Sequence, residues 1–398
     1  ARARRPDLDG ELFDFLTEIL LGRHRGQVED ELVARFQQVT GPVMAKGVED
    51  TTFYTYNRLT ALNEVGGNPA RFGVTPDEFH RANEHVAAHW PATLLATSTH
   101  DTKRSEDTRA RLALLSEIPT GFAGAVAEWS RNNERHRTDP ALPDRNAEWL
   151  LYQALIGAWP LSVERAVAYM EKASKEAKEH TSWVNPDAVY DDALRRFVEG
   201  VLGDAAFTAS LERFVAPLVE PGRINSLAQT LLKLTSPGVP DIYQGCELWD
   251  HSLVDPDNRR PVDFASRQSL LEEAETATPG DAWSARADSG LPKLLLTERA
   301  LHLRRRRAEC FCAGAGYEPL SAAGPKAAYA VAYVRGGDVI AVTPRLVMGL
   351  GGDWAGTTLT LPEGRFDDVL DGKRTFAGEV ALADLLGPFP VALLERAL

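Results

Sequence analysis

The segment ATSTHDTKRSED at residues 96–107 contains a His-Asp pair, His100 and Asp101, directly after the apolar run PATLLA at 91–96. A polar pair at the carboxyl end of a parallel strand is typical of barrel enzymes, because strand ends deliver side chains into a site that the following loops shape. Asp101 is therefore a candidate catalytic residue, with His100 beside it. The alternative is that Asp101 caps the helix predicted over 105–117, although that helix begins with better capping residues of its own.

A second group of ionisable residues lies in MAKGVEDTTFY at 44–54, where Lys46 is close in sequence to Asp50 and Tyr54. We treat this group as a candidate binding site. The alternative is a surface lysine followed by aromatic residues of the core.

The elements that would position these residues are helices interrupted by short apolar runs. Residues 11–39 have helical spacing with a glycine-flanked break, and most of the chain from 76 to 235 is predicted as helix, with breaks at prolines that include Pro221. Two short runs interrupt the helices, PATLLATS at 91–98 and VPDIYQG at 239–245. Short apolar runs beside helices are typical of parallel α/β sheets or barrels, so we predict a strand at each.

The pattern changes after Leu320. The alternating segments YAVAYV, DVIAVTP, TTLTLP, RFDDVL and PVALLE are separated by GGD, PEG and DGK, which predicts an antiparallel β domain. The segment GLPKLLLTERALHLRRRRAEC is predicted as a helix that joins this domain to the preceding part of the chain.

Aromatic residues are frequent between 119 and 220, and for most of them helical spacing favours core packing over ligand stacking. The residues with that spacing are Trp129, Trp149, Tyr152, Trp159, Tyr169 and Tyr190. The exception is Trp183, which lies in a predicted turn, HTSWVNP at 180–186, and not on a periodic face.

Composition excludes several classes of function. The 398 residues are 44% hydrophobic and carry a formal net charge of -13, which argues against nucleic-acid binding because a polyanion is bound by clustered Lys and Arg. The basic runs at 1–5 and 304–307 are not treated as sites.

Three cysteines without a C-x-x-C pair favour a reduced, cytoplasmic protein. No apolar run approaches the roughly 18 residues of a membrane span, and the first residues resemble the middle of a longer chain.

The motifs resemble a known family. TSTHDTKRSED at 97–107 resembles the α-amylase superfamily region in which a strand ends in His-Asp. Together with it, three longer segments resemble the maltooligosyl trehalose synthase family: GPVMAKGVEDTTFYTYNRLTALNEVGG at 41–67, SLAQTLLKLTSPGVPDIYQGCELWD at 226–250 and SLVDPDNRRPVDF at 252–264. The similarity covers nearly the whole chain. It implies an α/β fold, the C-terminal portion of a (β/α)8 TIM barrel with a large helical insertion, followed by a C-terminal antiparallel β domain.

The domain organisation expected from this resemblance has five parts. They are a helical segment of an insertion domain at 1–40, late barrel strands and loops with the His-Asp motif at 41–120, a helical insertion at 121–221, the last barrel helix, strand and connecting helix at 222–318, and the antiparallel β domain at 319–398.

The resemblance implies an isomerase, an intramolecular glucosylmutase of trehalose biosynthesis. It would convert the α-1,4 bond at the reducing end of a maltooligosaccharide into an α,α-1,1 bond. A retaining mechanism of this kind uses a nucleophilic carboxylate and an acid/base carboxyl about 5 Å apart. In the family these two groups lie on earlier barrel strands, and neither motif is found in this chain. We therefore expect a fragment that is inactive without the upstream barrel half.

Site roles follow from the positions that match the family's motifs. Asp101 corresponds to a third carboxylate, whose hydrogen bonds to the sugar 2-OH and 3-OH strengthen as the ring flattens toward an oxocarbenium ion. His100 would hold the same sugar from its side. Lys46 and Lys103 would hold the reducing-end glucose while it turns over between its two attacks. Retention of that glucose separates a mutase from a hydrolase, because water must lose the competition for the glycosyl-enzyme.

Three further substrate-binding candidates are Tyr54, Glu247 and Arg259. The loop DPDNRR at 255–260 has Asp spacing compatible with Ca²⁺, but pairing of its arginines with its own carboxylates is the favoured interpretation, and no metal or cofactor is expected.

The expected partners are the maltooligosaccharide and the N-terminal part of the same enzyme, with neither nucleic acid nor membrane. The alternatives are a non-catalytic carbohydrate-binding module and an α-glucan hydrolase or transferase of the same superfamily.

Overall fold

The structure, a computed structural model, describes residues 9–397, so the basic run at 1–5 lies outside the described residues, as do the first eight residues of the predicted segment 1–40 and the last residue of 319–398. The α-helices are α1 Gly10–Leu20, α2 Gln27–Pro42, α3 Phe53–Thr55, α4 Pro76–His89, α5 Glu106–Ala113, α6 Pro119–Asn133, α7 Arg145–Ala158, α8 Val163–Ala177, α9 Ala188–Gly203, α10 Ala205–Thr235, α11 Phe264–Ala274, α12 Pro279–Arg286, α13 Leu291–Arg306, α14 Val347–Leu350 and α15 Leu382–Leu386. A π-helix, Val43–Thr52, connects α2 to α3.

Short 3₁₀ turns complete the helical part. They are Thr60–Leu62, Leu114–Ser116, Glu134–His136, Asp257–Arg259, Ala287–Ser289, Ala308–Cys310 and Ala327–Tyr329. Among the described residues, no helix is both long enough and apolar enough to cross a bilayer.

The strands form one parallel pair and two antiparallel sheets. They are β1 Leu94–Leu95, β2 Val239–Pro240, β3 Tyr317–Leu320, β4 Ala322–Ala323, β5 Ala330–Arg335, β6 Val339–Pro344, β7 Thr358–Thr360, β8 Phe366–Asp368, β9 Thr375–Phe376, β10 Glu379–Ala381 and β11 Ala392–Arg396. The six-stranded sheet has the order β3-β5-β6-β11-β8-β9 and the three-stranded sheet the order β10-β7-β4. The predicted antiparallel sheet after Leu320 is confirmed.

The central strands of the six-stranded sheet show why alternation in the sequence produced it. Val331 and Tyr333 of β5 pack in one hydrophobic cluster with α10 and α13, whereas Ala332 and Val334 pack in a second cluster, between the two sheets. Successive side chains of a strand point to opposite faces, so each face of β5 belongs to a different core. The predicted connecting helix, α13, therefore supports one face of this sheet.

The two short apolar runs predicted as strands form β1 and β2, which pair in parallel with Leu94 opposite Val239 and Leu95 opposite Pro240. Their approach depends on Gly238, whose φ is 132° and where a Cβ would lie 2.8 Å from both the Thr93 carbonyl oxygen and Leu95 Cγ. Leu94 remains 75% exposed. A two-stranded parallel sheet of this kind is unusual, because parallel sheets are normally buried on both faces.

The helix break predicted at Pro221 is wrong, because α10 runs without interruption from Ala205 to Thr235 through Pro217 and Pro221. A proline inside a helix removes one backbone hydrogen bond and crowds the preceding turn. Packing compensates here: α10 is buried against α5 and α13, and at Gly222 a Cβ would lie only 3.2 Å from Arg111 Cβ. Tertiary contact thus outweighs the local preference of proline.

The predicted amphipathic helices at the start of the chain are present, but their apolar face is not covered. Ile19 is buried, whereas large apolar side chains of α1, α2 and the π-helix are 37% to 76% exposed. These residues, which we call the α1–α2 apolar face, are Leu12, Phe15, Leu16, Leu20, Val28, Leu32, Phe36, Val39, Val43 and Met44. An apolar surface of this extent is typical of an interaction surface.

We expect the paired substitution Leu32→Ala and Phe36→Ala to change the free energy of unfolding by less than about 1 kcal/mol, because both side chains are exposed. Binding of a hydrophobic dye should decrease in the same variant. Denaturant unfolding and dye fluorescence provide the two measurements. Leu155→Ala is the matched control: its side chain is 0% exposed, and its loss should cost about 2–5 kcal/mol. A similar cost for the surface pair would show that the face is packed within this chain.

Candidate active site

The carboxyl ends of β1 and β2 lie at one edge of the parallel pair. Asp241 N donates to Leu95 O over 2.8 Å, which continues the pairing beyond β2. After β1 the chain turns at Thr99, whose carbonyl oxygen accepts from Thr102 Oγ1 at 3.0 Å and from Asn258 Nδ2 at 3.2 Å. The His-Asp pair therefore follows directly at this edge, and the loop at 255–260 reaches the same place.

Asp101 is half-buried, and its backbone N–H donates to Thr99 Oγ1 over 3.2 Å. Its carboxylate has no hydrogen-bond or ion-pair partner among residues 9–397. The helix-cap alternative is contradicted, because α5 begins after Ser105, and Glu106 N donates to Ser98 Oγ over 2.9 Å. The Asp101 carboxylate is therefore available to a ligand.

Two lysines contact the carboxylate of Asp50. Lys103 Nζ lies 2.7 Å from Asp50 Oδ1, and Lys46 Nζ contacts Asp50 Oδ2. The side chain of Lys103 is 2% exposed, whereas that of Lys46 is 73% exposed. Asp50 thus fixes one buried and one accessible cation at the same point, which we call the lysine pair.

The π-helix places Lys46 and Asp50 on one side. Thr51 Oγ1 donates to Lys46 O at 2.8 Å and Thr52 Oγ1 donates to Gly47 O at 2.9 Å, so threonine hydroxyls follow the same five-residue spacing as the backbone. π-Helical turns are rare and occur frequently at functional sites.

The charges of this region shift two pKa values. Burial alone would raise the pKa of Asp50, but the hydrogen bonds and charges of Lys103 and Lys46 outweigh it and lower that pKa below its usual value. The pKa of Lys46 is raised, first by the hydrogen bond and charge of Asp50 and then by the negative charges of Asp101 and Glu176. The charges of Asp101 and Lys46 therefore attract each other.

Glu64 holds the turn that follows Asp101. Its two carboxylate oxygens accept the backbone N–H groups of Lys103 and Arg104 at 2.8 and 3.1 Å, and Arg109 Nη1 lies 3.0 Å from Oε2. Charge-assisted bonds of this kind are stronger than neutral ones. Glu64 is accordingly a positioning residue for the segment that carries Asp101 and Lys103.

The charged residues after this turn are buried and paired. Lys293 Nζ lies 2.6 Å from Glu106 Oε1 and 2.8 Å from Asp107 Oδ2, and Lys233 Nζ lies 3.2 Å from Glu106 Oε2. Burial opposes ionisation of Glu106, but the charges of Lys293 and Lys233 lower its pKa to about 2. These buried pairs, which we call the ionic cluster, tie α5 to α10 and α13 directly below the candidate site.

The other residues predicted from the motifs are not all in contact. His100 is exposed, and its carbonyl oxygen accepts from Arg259 Nε and Nη2 at 3.3 and 3.2 Å. Tyr54 is 3% exposed and lies under Lys103, whose Nζ is 6.0 Å from the ring centroid. Glu247 accepts from Gly245 N at 3.0 Å within its own turn, and from Arg267 Nε of α11 at 3.1 Å. Substrate contacts of these four residues stay predictions.

The carboxylates of the 255–260 loop are paired with cations. Asp255 Oδ1 lies 2.6 Å from Lys172 Nζ, and Asp257 Oδ2 lies 2.7 Å from Arg165 Nη2, so the helical segment supplies partners that sequence spacing did not identify. Arg260 Nε also lies 3.1 Å from Asp257 Oδ1, as expected for pairing within the loop. The loop is thus fastened to α8 at one side and to His100 at the other.

Sequence reasoning missed the partners that organise the site. Asp50 and Glu64 lie far along the chain from Lys103, so no local spacing joins them. The two cations of the ionic cluster did carry a signal: Lys233 and Lys293 are single lysines within the apolar runs TLLKLT and LPKLLL. A lysine in such a run predicts a buried, paired cation, because unpaired lysines are almost never fully buried.

Comparisons with known proteins match the chain to one family. The chain is 41% identical over 380 residues to a Mycobacterium tuberculosis relative that carries the maltooligosyl trehalose synthase name. The aligned region covers 92% of this chain and 46% of the relative. A solved variant of the maltooligosyltrehalose synthase from Arthrobacter ramosus has a TM-score of 0.87 at 40% identity and covers 100% of this chain and 50% of that one. A hypothetical maltooligosyl trehalose synthase from Sulfolobus tokodaii has a TM-score of 0.75 at 31% identity, with 93% and 47% covered. No protein-family model matches the chain.

The chain is thus homologous to maltooligosyl trehalose synthases, and the resemblance of its motifs to that family is confirmed. It spans about half the length of the curated relatives it matches.

We expect Asp50→Asn to lower the free energy of unfolding by about 3 kcal/mol at pH 7, since it leaves the buried ammonium of Lys103 without its carboxylate. Asp50 has a lower pKa in the folded than in the unfolded state, so its contribution is present above the unfolded value of about 3.9 and is lost as pH falls through the folded value. The difference between the two proteins should therefore shrink on acidification, as denaturant unfolding at several pH values would measure.

Glu31→Gln is the control, because the Arg35–Glu31 pair is 73% and 59% exposed and its loss should change stability by less than about 0.5 kcal/mol. An Asp50→Asn cost that is equally small would contradict a buried ion pair at Lys103.

Proposed function

We propose that this chain is the carboxyl-terminal half of a maltooligosyl trehalose synthase, in which it binds the reducing-end glucose of a maltooligosaccharide and supplies the third carboxylate, Asp101. The observation that carries the proposal is the Asp101 carboxylate, which has no hydrogen-bond or ion-pair partner among residues 9–397, follows a parallel strand and lies two residues before Lys103 of the lysine pair. Homology to synthases over 92% of the chain supports it. The reaction is an isomerisation in trehalose biosynthesis: the terminal α-1,4 bond breaks and an α,α-1,1 bond forms within the same molecule.

Asp101 acts on the sugar whose bond breaks. Its carboxylate accepts hydrogen bonds from the 2-OH and 3-OH, and these bonds strengthen as positive charge develops on the ring, so they stabilise the transition state more than the bound substrate. The turn that carries Asp101 is fastened by Glu64 on one side and by the ionic cluster on the other. Because its position is fixed before the substrate binds, the Asp101 carboxylate does not have to move to stabilise the transition state.

The lysine pair acts on the reducing-end glucose. After the bond breaks, this glucose must stay in place and present its 1-OH to the glycosyl-enzyme before water attacks. Lys46 is the accessible member and donates to its hydroxyls, whereas Lys103, which is 2% exposed, fixes Asp50 and so the direction of Lys46. Because both lysines share one carboxylate, we assign Lys46 the direct contact and Lys103 chiefly a positioning role.

His100 and Arg259 close the same edge. His100 is exposed beside Asp101, and the guanidinium of Arg259 holds its backbone carbonyl. We assign the His100 side chain to the sugar that Asp101 binds, and Arg259 to the closure of the 255–260 loop over that sugar. Tyr54 supports Lys103 from below, and Glu247 shapes the turn after β2.

The partner is the upstream half of the synthase, which supplies the nucleophile, the acid/base and the remaining strands of a (β/α)8 barrel. Two observations support it. β1 and β2 each pair with only the other strand among the described residues, so their outer edges are open. The α1–α2 apolar face is uncovered, and the chain spans about half the length of its curated relatives. The proposal also includes a cytoplasmic location, which the three free cysteines support.

Reconstitution tests the proposal. This chain, mixed or co-expressed with the separately produced upstream half of a related synthase, should consume the reducing ends of maltopentaose without stoichiometric release of glucose. A rise in reducing ends would instead identify an α-glucan hydrolase, and binding without turnover would identify a carbohydrate-binding module. The homology favours neither of these alternatives.

In the reconstituted enzyme, Asp101→Asn should lower kcat/KM on the order of a hundredfold, since hydrogen bonds to a charged group contribute about 1.5–3 kcal/mol each. Initial rates with maltopentaose would measure it. Asp384→Asn, at an exposed position of α15, is the matched control and should be unchanged. Turnover by Asp101→Asn within twofold of the parent would refute the role of this carboxylate.

Lys46→Ala should shift products from trehalose ends toward free glucose, by several-fold in the glucose fraction, because the reducing-end glucose is retained less well. Chromatographic analysis of glucose and non-reducing products would measure the ratio. Lys373→Ala, at an exposed position of the C-terminal domain, should leave it unchanged. An unaltered ratio in Lys46→Ala would remove Lys46 from the substrate contacts.

A further inference from the structure

Trp183 differs from the other aromatic residues of the helical region. Trp129, Tyr152 and Tyr169 are 0% to 5% exposed, as helical spacing predicts, whereas Trp183 is 57% exposed and its neighbour Val184 is 94% exposed. The side chain lies in the turn between α8 and α9. Unlike the aromatic residues of the core, Trp183 presents its indole ring to the solvent.

The ring is held in place at two points. Trp183 Nε1 donates to Glu176 Oε1 over 3.0 Å, and Lys175 Nζ lies 4.7 Å from the ring centroid. The turn is itself hydrogen-bonded, since Asn185 N donates to Ser182 Oγ at 3.0 Å. The indole is therefore preorganised, with a cation on one of its sides and more than half of its surface free.

The end of α8 that carries these contacts lies against the candidate site. Lys178 Nζ donates to Thr51 Oγ1 over 2.8 Å, and Thr51 directly follows Asp50. The charge of Glu176, the partner of Trp183, is also among those that raise the pKa of Lys46, after the larger effect of Asp50. The end of α8 that holds Trp183 is therefore joined to the π-helix that carries Lys46 and Asp50.

We propose that Trp183 is a stacking platform for the reducing-end glucose of an α-1,4-glucan, at the rim formed by Lys46, Asp50 and the end of α8. An aromatic face is electron-rich and binds the apolar C–H face of a pyranose, while its polar edge is left to hydrogen-bond donors. Lys46 supplies such a donor at the same rim. This inference rests on the proposed function and adds a residue that no sequence motif assigned.

The test uses the reconstituted enzyme with maltopentaose. Trp183→Ala should raise KM by about three- to tenfold and raise the glucose fraction of the products by about twofold or more, because an aromatic contact contributes about 0.5–1.5 kcal/mol. Trp183→Phe keeps an aromatic face and should stay within twofold of the parent. The thermal unfolding midpoint should be the same in all three, since the side chain is exposed.

Trp90→Ala is the matched control. Trp90 is 66% exposed but lies between α4 and β1, before the strand that Asp101 follows, and among the described residues it has no hydrogen bond or ring contact with α8. Parent-like KM and glucose fraction in Trp183→Ala would overturn the inference, as would a variant that only weakens association of the two halves while KM at saturating partner is unchanged. If the parent enzyme makes no trehalose ends, the proposed function itself fails, and this outcome is distinct from a failure of Trp183 alone.

Discussion

One carboxylate between two ammonium groups organises the candidate site. Asp50 accepts from Lys103, which is buried, and from Lys46, which is accessible. Removal of the Asp50 carboxylate would leave the buried ammonium of Lys103 uncompensated. Asp50 therefore both stabilises the folded protein and fixes the position of Lys103. Because Lys103 follows Asp101 by two residues, the same contact also sets where the catalytic candidate lies. The π-helix that carries Asp50 is thereby bound to the strand end that carries Asp101.

A second layer of charge supports this arrangement from below. Glu106 and Asp107 are almost fully buried and are neutralised by Lys233 and Lys293, which come from α10 and α13. A buried ion pair adds little net stability compared with an apolar core, but its geometry is specific. Here it joins α5 to α10, which precedes β2, and to α13. The strand ends are thus oriented by charge, while the helical region around them is held by an apolar core.

Local pattern in the sequence identified most elements and part of the site. The parallel strands, the antiparallel sheet and the core role of most aromatic residues in the helical region are confirmed, because each depends on periodicity that short segments display. One expectation based on a local signal was wrong: α10 continues through Pro221, where packing against α5 and α13 outweighs the preference of proline. The contacts of Lys103 with Asp50 and Glu64 could not be predicted, because they join segments that no spacing rule relates. Asp101, Lys46 and Lys103 were identified by motif resemblance, and the contact of both lysines with Asp50 is a finding of the structure.

The pairing of β1 with β2 has a consequence for how the molecule assembles. The two strands lie on either side of the entire helical region from α5 to α10, so their contact has a very high sequence separation. Closing so long a loop costs conformational entropy unless the intervening chain has already become compact. We therefore expect the helical core to fold before the two strands pair, so that the edge that carries Asp101 is completed late. A defect introduced deep in the helical core would consequently delay the appearance of the ligand-binding edge, even though it touches no residue there.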